Sequence, residues 1–505
     1  MRKGRIGALA AAAFSAGLIL TAIAGARGGG GPGFHAPVTL PDSDGGSEPS
    51  VAVSPRGVRY ATWQSPGEFA SSPDGVNFVN LGQPDPNAIG DTAVAIDAAG
   101  ALYNSQICGE PTILHTCVYR SLDGGHTWPL QTPLADNHPG ASDRPWIDVY
   151  PHEAQQGWNP DATTVYIEYH TFSPEELVYV TVSRDGGRTF SPPTFVTAGT
   201  NATLDSGCNT IPGGVVADES TGIVYALWLS GNDVASNVAS GCNYSQLGPF
   251  DKAWVSTSFD GGLTWTAHLA WQGDFDPVTK VGDNADKLFG TISVDRSGQV
   301  HVLLPVRRHD DPNGYVLDCE TNPDCQETPQ PTNLLLVTSP DRGSHWTAPF
   351  SVRTGGSSFF PWIAAGSSGR IDADYYASGT LRPNDPSSVW SIAFSQITGA
   401  TAALGPDGAY YAQTPSVTTT PLGAGSVHNG GICTFGIFCS VVPNANRSLA
   451  DSISIALDPQ GGANAVWTND ASPPRHIDFA CQKSGPSAFE EVGRISGCYR
   501  ATGAP

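Results

Sequence analysis

Charge is scarce in this sequence, and positive charge is the scarcer sign. Lys and Arg number 25 against 47 Asp and Glu in 505 residues, and charged residues of both signs make up only 14%. A net charge of −22 opposes nucleic acid and anionic membranes as partners, since both recruit proteins through basic patches. Methionine occurs once, and the other helix-favouring residues Lys and Glu are few. Beyond the N-terminal segment no run is long and apolar enough to span a bilayer. No CxxC occurs and no His lies at ligand spacing beside a Cys, so nothing indicates a zinc site or a cofactor.

What the chain does have is Gly (59), Pro (41) and many β-branched and aromatic residues, a composition for short strands joined by many turns. At 505 residues it exceeds what one hydrophobic core organises, so several domains or one repeat architecture are required. Residues 1–26 read as a secretory signal peptide. Arg2, Lys3 and Arg5 precede an apolar stretch from Ile6 to Ile23, and Ala24-Gly25-Ala26 fits the cleavage pattern. A retained membrane anchor is the alternative. Cleavage removes three basic residues and leaves a secreted chain of charge −25, with no membrane attachment and no sign of self-association, hence a monomer.

All ten Cys follow that segment, an even count that predicts disulfides in an exported chain. Each Cys shares a repeat or insertion with its nearest neighbour, so the expected pairs are Cys108–Cys117, Cys208–Cys242, Cys319–Cys325, Cys433–Cys439 and Cys481–Cys498. Sequons stand at Asn201, Asn243 and Asn446.

One unit recurs seven times, at 49–63, 91–106, 144–170, 213–229, 290–306, 361–377 and 452–469, the third carrying an insertion near 152–161. Each is an alternating apolar strand, a turn ending in Gly and a second strand with aromatics, which is a β-hairpin. A lone hairpin is marginal in water, so the units must share a core. Five units are followed by Ser-x-Asp-Gly-Gly-x-Thr-Trp or a variant of it, around Asp74, Asp123, Asp185, Asp260 and Asp341. The Asp accepts backbone N–H groups of its own turn and the Gly residues supply positive φ, a structural chemistry.

These turns resemble the Asp boxes, or BNR repeats, of the sialidase superfamily, over about 48–470. The resemblance implies an all-β propeller over 48–505, with seven blades and six as the alternative. Residues 27–47 would be a Gly-rich linker, with the stretch from Phe34 to Leu40 as outer strand of the last blade. It places the boxes between third and fourth strands, away from the active site, so their Asp residues are not catalysts. Asp boxes also occur in xyloglucanases, sorting receptors and lectins, so the motif is specific for fold and not for function.

Inner strands of a propeller begin at one mouth of its channel. Glu48, Asp91, Asp143, Arg144, Asp286, Lys287, Arg447 and Asp451 stand at or near such positions and should converge. Mutual pairing that closes the tunnel and a polar binding pocket are both consistent with that. Active members of the family open the first blade with Arg-Ile-Pro; here Ser47-Glu48-Pro49 stands there, and Asp143-Arg144-Pro145 in the third blade is the nearest echo. Arg144, Arg370 and Arg447 are the arginines available for a carboxylate clamp. Tyr375, Tyr376, Tyr411 and Glu168 are the candidates for the family's Tyr nucleophile and its activating Glu. The acidic insertion 309–327 is a candidate Ca²⁺ loop, with a solvated loop as the alternative. Three readings follow: a propeller that engages glycans or another extracellular ligand at the mouth, an exo-acting glycoside hydrolase of sialidase type, and a non-enzymatic scaffold or adhesion propeller. Sialidase activity itself is expected to be weak or absent, because Glu48 replaces the first-blade arginine.

Overall fold

The computed structural model describes residues 30–502 except 65–66, 111–112, 172–176, 198–209, 232–249, 277, 280, 286–288, 310–328, 407–409, 435–438 and 440–444. The expected signal peptide, Asp286, Lys287, nearly all of the acidic insertion, the expected pairs Cys208–Cys242 and Cys319–Cys325, and the sequons at Asn201 and Asn243 lie outside the described residues. The chain divides into Met1–Gly30 and Gly31–Pro505, and the sheets belong to the second unit. Among the described residues no helix is long and apolar enough to cross a membrane.

The second unit is a seven-bladed β-propeller. The first blade runs antiparallel through Ser47–Val53, Arg59–Gln64, Glu68–Ser72 and Val79–Gly82. Five further blades repeat the plan from inner strands Gly90–Ile96, Ser142–Tyr150, Thr210–Ala217, Thr291–Val294 and Ser357–Ala365. The last blade has Ser454–Leu457, Ala463–Asn469 and His476–Pro486 from the C-terminal side. Its outer edge is covered by Gly33–Phe34 and Val38–Thr39, as expected for the N-terminal closing strand. Each innermost strand touches that of the next blade, and the seventh touches the first, so the ring is closed. A six-bladed ring is thereby excluded.

Closure is needed because an inner strand has one unpaired edge, and unpaired N–H groups are a liability. Side chains of the preceding blade cover part of that edge. Ser454 Oγ accepts from Val51 N at 3.2 Å, Ser50 Oγ from Val94 N at 3.3 Å, Asp148 Oδ2 from Ala217 N at 2.7 Å and Ser293 Oγ from Ala365 N at 3.0 Å. Between blades the cores are apolar, as where Tyr166, Val180 and Val182 of the third pack on Val215, Val224 and Trp228 of the fourth. Full burial of such side chains contributes about 1.5–3 kcal/mol each.

All five Ser-x-Asp turns join third to fourth strands, and all adopt one geometry. The Ser hydroxyl donates to the Asp and accepts from a Gly N–H, as from Gly125 N to Ser121 Oγ at 2.8 Å. The second carboxylate oxygen takes a side-chain donor, Thr264 Oγ1 at 2.6 Å in the fourth blade. Where the motif departs, a chemical equivalent stands in. His345 Nδ1 meets Asp341 Oδ2 at 2.7 Å, and Asn77 Nδ2 donates to Asp74 Oδ2 at 2.8 Å. Partial burial raises the Asp123 and Asp260 carboxyls, but the bonds from Thr127 and Thr264 outweigh it and hold both at about 2. The hairpin turns between first and second strands of the second, fifth and seventh blades use the same device. Asp97, Asp295 and Asp458 each accept two N–H groups of their own turn. Both turn sets lie at the end where inner strands finish, so they share one face, and the strand starts share the other. Cys108–Cys117, Cys433–Cys439 and Cys481–Cys498 are disulfide-bonded, each Cys with its nearest neighbour.

Candidate functional site

The inner strands begin with an irregularity. A bulge separates Ser47 from Ser50, Gly90 from Ala93, Asp143 from Trp146 and Phe359 from Trp362. Inside these bulges Glu48, Asp91, Arg144 and Phe360 take left-handed φ values of 50°, 43°, 57° and 51°. A non-Gly residue held there costs on the order of 1–3 kcal/mol. The bulge re-aims a side chain that the pleat would otherwise direct along the sheet normal. In the first three blades that side chain is charged, and the three meet.

Arg144 is their centre. Its Nη1 reaches Glu48 Oε2 at 2.8 Å, its Nη2 Asp451 Oδ2 at 2.9 Å and its Nε Asp91 Oδ2 at 3.4 Å. Below the guanidinium lie the rings of Phe289, at 4.9 Å, and Trp146, at 5.7 Å, where cation–π attraction adds to the pairs. Arg447 bonds Asp451 through both Nε and Nη2 and lies 3.7 Å from Glu48 Oε1. Burial alone would lower the Arg144 pKa; Asp91, Glu48 and Asp451 reverse that and hold it above its ordinary value.

Asp91 and Asp143 form a second pair beside this hub. Burial pushes the Asp91 carboxyl well up, Arg144 opposes, and Asp143 and Glu48 add to the rise. On Asp143 burial is outweighed by hydrogen bonds from His170 and Asp91, which hold it well below the usual carboxylate range. Their environments thus push the two carboxyls apart, Asp91 up and Asp143 down. Gln64 Nε2 donates to Asp91 Oδ1 at 3.3 Å, and His170 Nε2 stands 3.8 Å from Asp143 Oδ2. Exposure separates the members: Glu48 and Asp451 side chains are 2% and 3% exposed, Asp91 and Asp143 10% and 15%, Arg447 34%. The hub is buried, and the pair and Arg447 form its outer layer.

Six of the eight expected mouth residues thus come together: Glu48, Asp91, Asp143, Arg144, Arg447 and Asp451. Other expectations fail. Arg370 begins a second strand, so it stands at the turn face, donating to Ser487 O at 3.2 Å, and cannot join Arg144 and Arg447. Tyr411 lies in Tyr410–Ala412, inserted between third and fourth strands of the sixth blade, hence also at the turn face. Tyr375 and Tyr376 are fully buried core residues, their hydroxyls bonded to Ser395 Oγ and Thr468 O at 2.8 and 2.9 Å. Glu168 is fully buried and accepts from Gly214 N of the next blade at 2.7 Å, a bond between blades.

Sequence reasoning missed three features. Trp146, Phe289 and Trp362 meet at the axis, with Trp146 5.6 Å from Phe289 and 4.9 Å from Trp362 between ring centres. Beside the mouth, His428 Nδ1 bonds Asp470 Oδ1 at 2.6 Å, and Arg475 donates to Ser448 O at 3.2 Å. Only the aromatic layer left a signal, since Trp146 and Trp362 both follow a Pro by one residue at the start of an inner strand.

No protein-family model and no curated protein sequence matches the chain. Solved structures similar to it include an ulvan lyase of a polysaccharide-lyase family, with 12% identity over 89% of this chain and 93% of that one and a TM-score of 0.46. A protein of unknown function from Dyadobacter fermentans DSM 18053 aligns at 14% identity over 90% of this chain and 99% of that one, with a TM-score of 0.43. A Hadza microbial sialidase aligns at 12% identity over 84% and 73%, with a TM-score of 0.41. Likeness at this level leaves the site to be argued from its own residues.

Proposed function

We propose that the chain is a secreted propeller of sialidase-superfamily type that engages a neutral glycan at the channel mouth. The observation that carries this is the occupation of Arg144. Its guanidinium already faces three carboxylates within 3.4 Å, so it has no free edge for the carboxylate of a sialoside. An incoming carboxylate would also meet Glu48 where an arginine would be needed. Two like charges about 4 Å apart at an effective dielectric near 20 repel by roughly 4 kcal/mol. Sugar hydroxyls have no such conflict, because carboxylates accept from them and Arg447 donates to them. Purified protein would be assayed on a fluorogenic sialoside and on a panel of neutral glycans by array and titration. Binding of a neutral glycan that weakens at least tenfold in Asp143→Asn supports the reading. Robust sialoside turnover lost in Arg144→Ala would overturn it.

A second reading, hydrolysis of a neutral glycoside, is favoured by the Asp91–Asp143 pair, in which burial pushes the Asp91 carboxyl up while hydrogen bonds hold Asp143 down. Paired carboxyls whose environments push their pKa values apart are the arrangement from which an acid and a base are drawn. Turnover of a neutral aryl glycoside, abolished in Asp91→Asn with binding retained, would distinguish an enzyme from a lectin. Export, with cleavage near Ala26, would be read from the N-terminal sequence of protein recovered outside the cell.

A further inference from the structure

Trp146 bears the mouth cluster on one side and a cavity on the other. The cavity, about 1050 Å³, is lined by the inner strands of all seven blades and reaches the turn face at Ser54, Ser220 and Pro459. Trp146 and the half-buried Trp362 form its inner end. Three serines on its wall, Ser50, Ser293 and Ser454, each accept a backbone N–H from the next blade, which leaves the hydroxyl proton of each to donate inward. Asp148 on the same wall spends one oxygen on Ala217 N, and burial pushes its carboxyl up. Of the other lining carboxylates, Asp218, Asp295 and Asp458 accept from their own turns and Glu219 accepts from His152 N at 2.9 Å. The Trp146 side chain is 8% exposed and its Nε1 is buried without a hydrogen-bond partner, so what this ring offers the cavity is apolar surface. At the rim Arg296 bridges Glu153 and Glu491 at 3.3 and 2.5 Å and lies 3.6 Å over the Phe489 ring.

We infer that this cavity is a second binding site, for an uncharged sugar of one or two rings, entered from the turn face. Its volume is that of a small-ligand pocket, where a mostly apolar wall with a few placed polar groups sets orientation. Two indole rings take the C–H face of a pyranose. The three serine hydroxyls, donating into the cavity, meet ring and hydroxyl oxygens. An anion would find no unpaired cation among the described residues of the lining, since Arg296 is spent on Glu153 and Glu491 at the rim and His152 Nδ1 lies 3.2 Å from Glu219. The site lies on the opposite face from the proposed glycan mouth and does not depend on it.

The test titrates full-length mature protein with cellobiose, lactose and maltose, and with glucuronate and glucosamine as charged arms, by calorimetry and tryptophan emission. Expected are saturable binding of at least one disaccharide with a change in emission, and at least tenfold weaker binding in Ser293→Leu and in Ala364→Phe, which fill the cavity. Asp143→Asn at the mouth should leave that binding unchanged. Two cavity variants are used so that one that fails to fold, judged by its melting temperature, leaves the other. Loss in Asp143→Asn with retention in both cavity variants would assign the sugar to the mouth and refute this site alone. Preference for a charged arm, or no binding of any disaccharide, would also overturn it.

Discussion

Replacing Arg144 by Met keeps side-chain bulk and removes one charge, and the consequence follows from the geometry. Glu48, Asp91 and Asp451 lose a partner at 2.8, 3.4 and 2.9 Å, and two of the three are almost fully buried. Arg447 still pairs Asp451 and lies near Glu48, so the loss is partial. Removing one partner of a buried ion pair destabilises by about 3–5 kcal/mol. The unit Gly31–Pro505 has roughly 475 residues, for which an unfolding entropy of about 2.1 cal/mol/K per residue gives about 1 kcal/mol per degree. The melting temperature at pH 7 should therefore fall by about 3–5 °C. The pH dependence has a definite sign. A buried carboxylate stripped of its partner is costly only while it is ionised, so the deficit should be smaller at pH 4 than at pH 7. Melting would be followed by circular dichroism at pH 4 and pH 7, with Glu48→Gln/Arg144→Met as the partner variant that recovers part of the loss. A melting temperature equal to wild type at pH 7, or an equal deficit at both pH values, would refute the account of Arg144 as the neutralising hub.

Asp372 is fully buried, and burial pushes its carboxyl up to about 7 despite the bond from Gln396 Nε2 at 3.0 Å. Its folded pKa lies above the unfolded one, so stability should fall between about pH 4 and 7, and Asp372→Asn should flatten that slope in pH-dependent melting. Asp260 behaves oppositely: held at about 2, it contributes stability above about pH 4 that is lost as pH falls toward 2, and in Asp260→Ala acid sensitivity in that window should shrink while stability at pH 7 drops by about 1 kcal/mol. Non-reducing peptide mapping should recover Cys108–Cys117, Cys433–Cys439 and Cys481–Cys498, and nearest-neighbour pairing for the remaining four Cys; a crosslink between blades would contradict it.

Much of the fold is legible in the sequence because its signals are local. A strand of period two, a turn that needs Asp and Gly, and a repeat of both are set by residues within one hairpin, so seven hairpins and five Ser-x-Asp turns predict blades and a common turn face. Even the departures Asn77 and His345 obey that local chemistry, since a donor at that position is all the carboxylate requires. The stretch from Phe34 to Leu40 was legible as a closing strand, and Val38–Thr39 pairs with His476–Pro486, the third strand of the last blade. The mouth was legible as a set of strand starts but not as an arrangement. Whether Arg144 met substrate or Glu48 depended on left-handed bulges in three separate blades, and no local pattern states the distance between residues 96 and 307 positions apart. The same limit misplaced Arg370 and Tyr411, whose residue types suit a site while their strand ends put them on the opposite face. Residue type and spacing within a hairpin determined the blades; ring closure alone decided which side chains share a dielectric or a cavity.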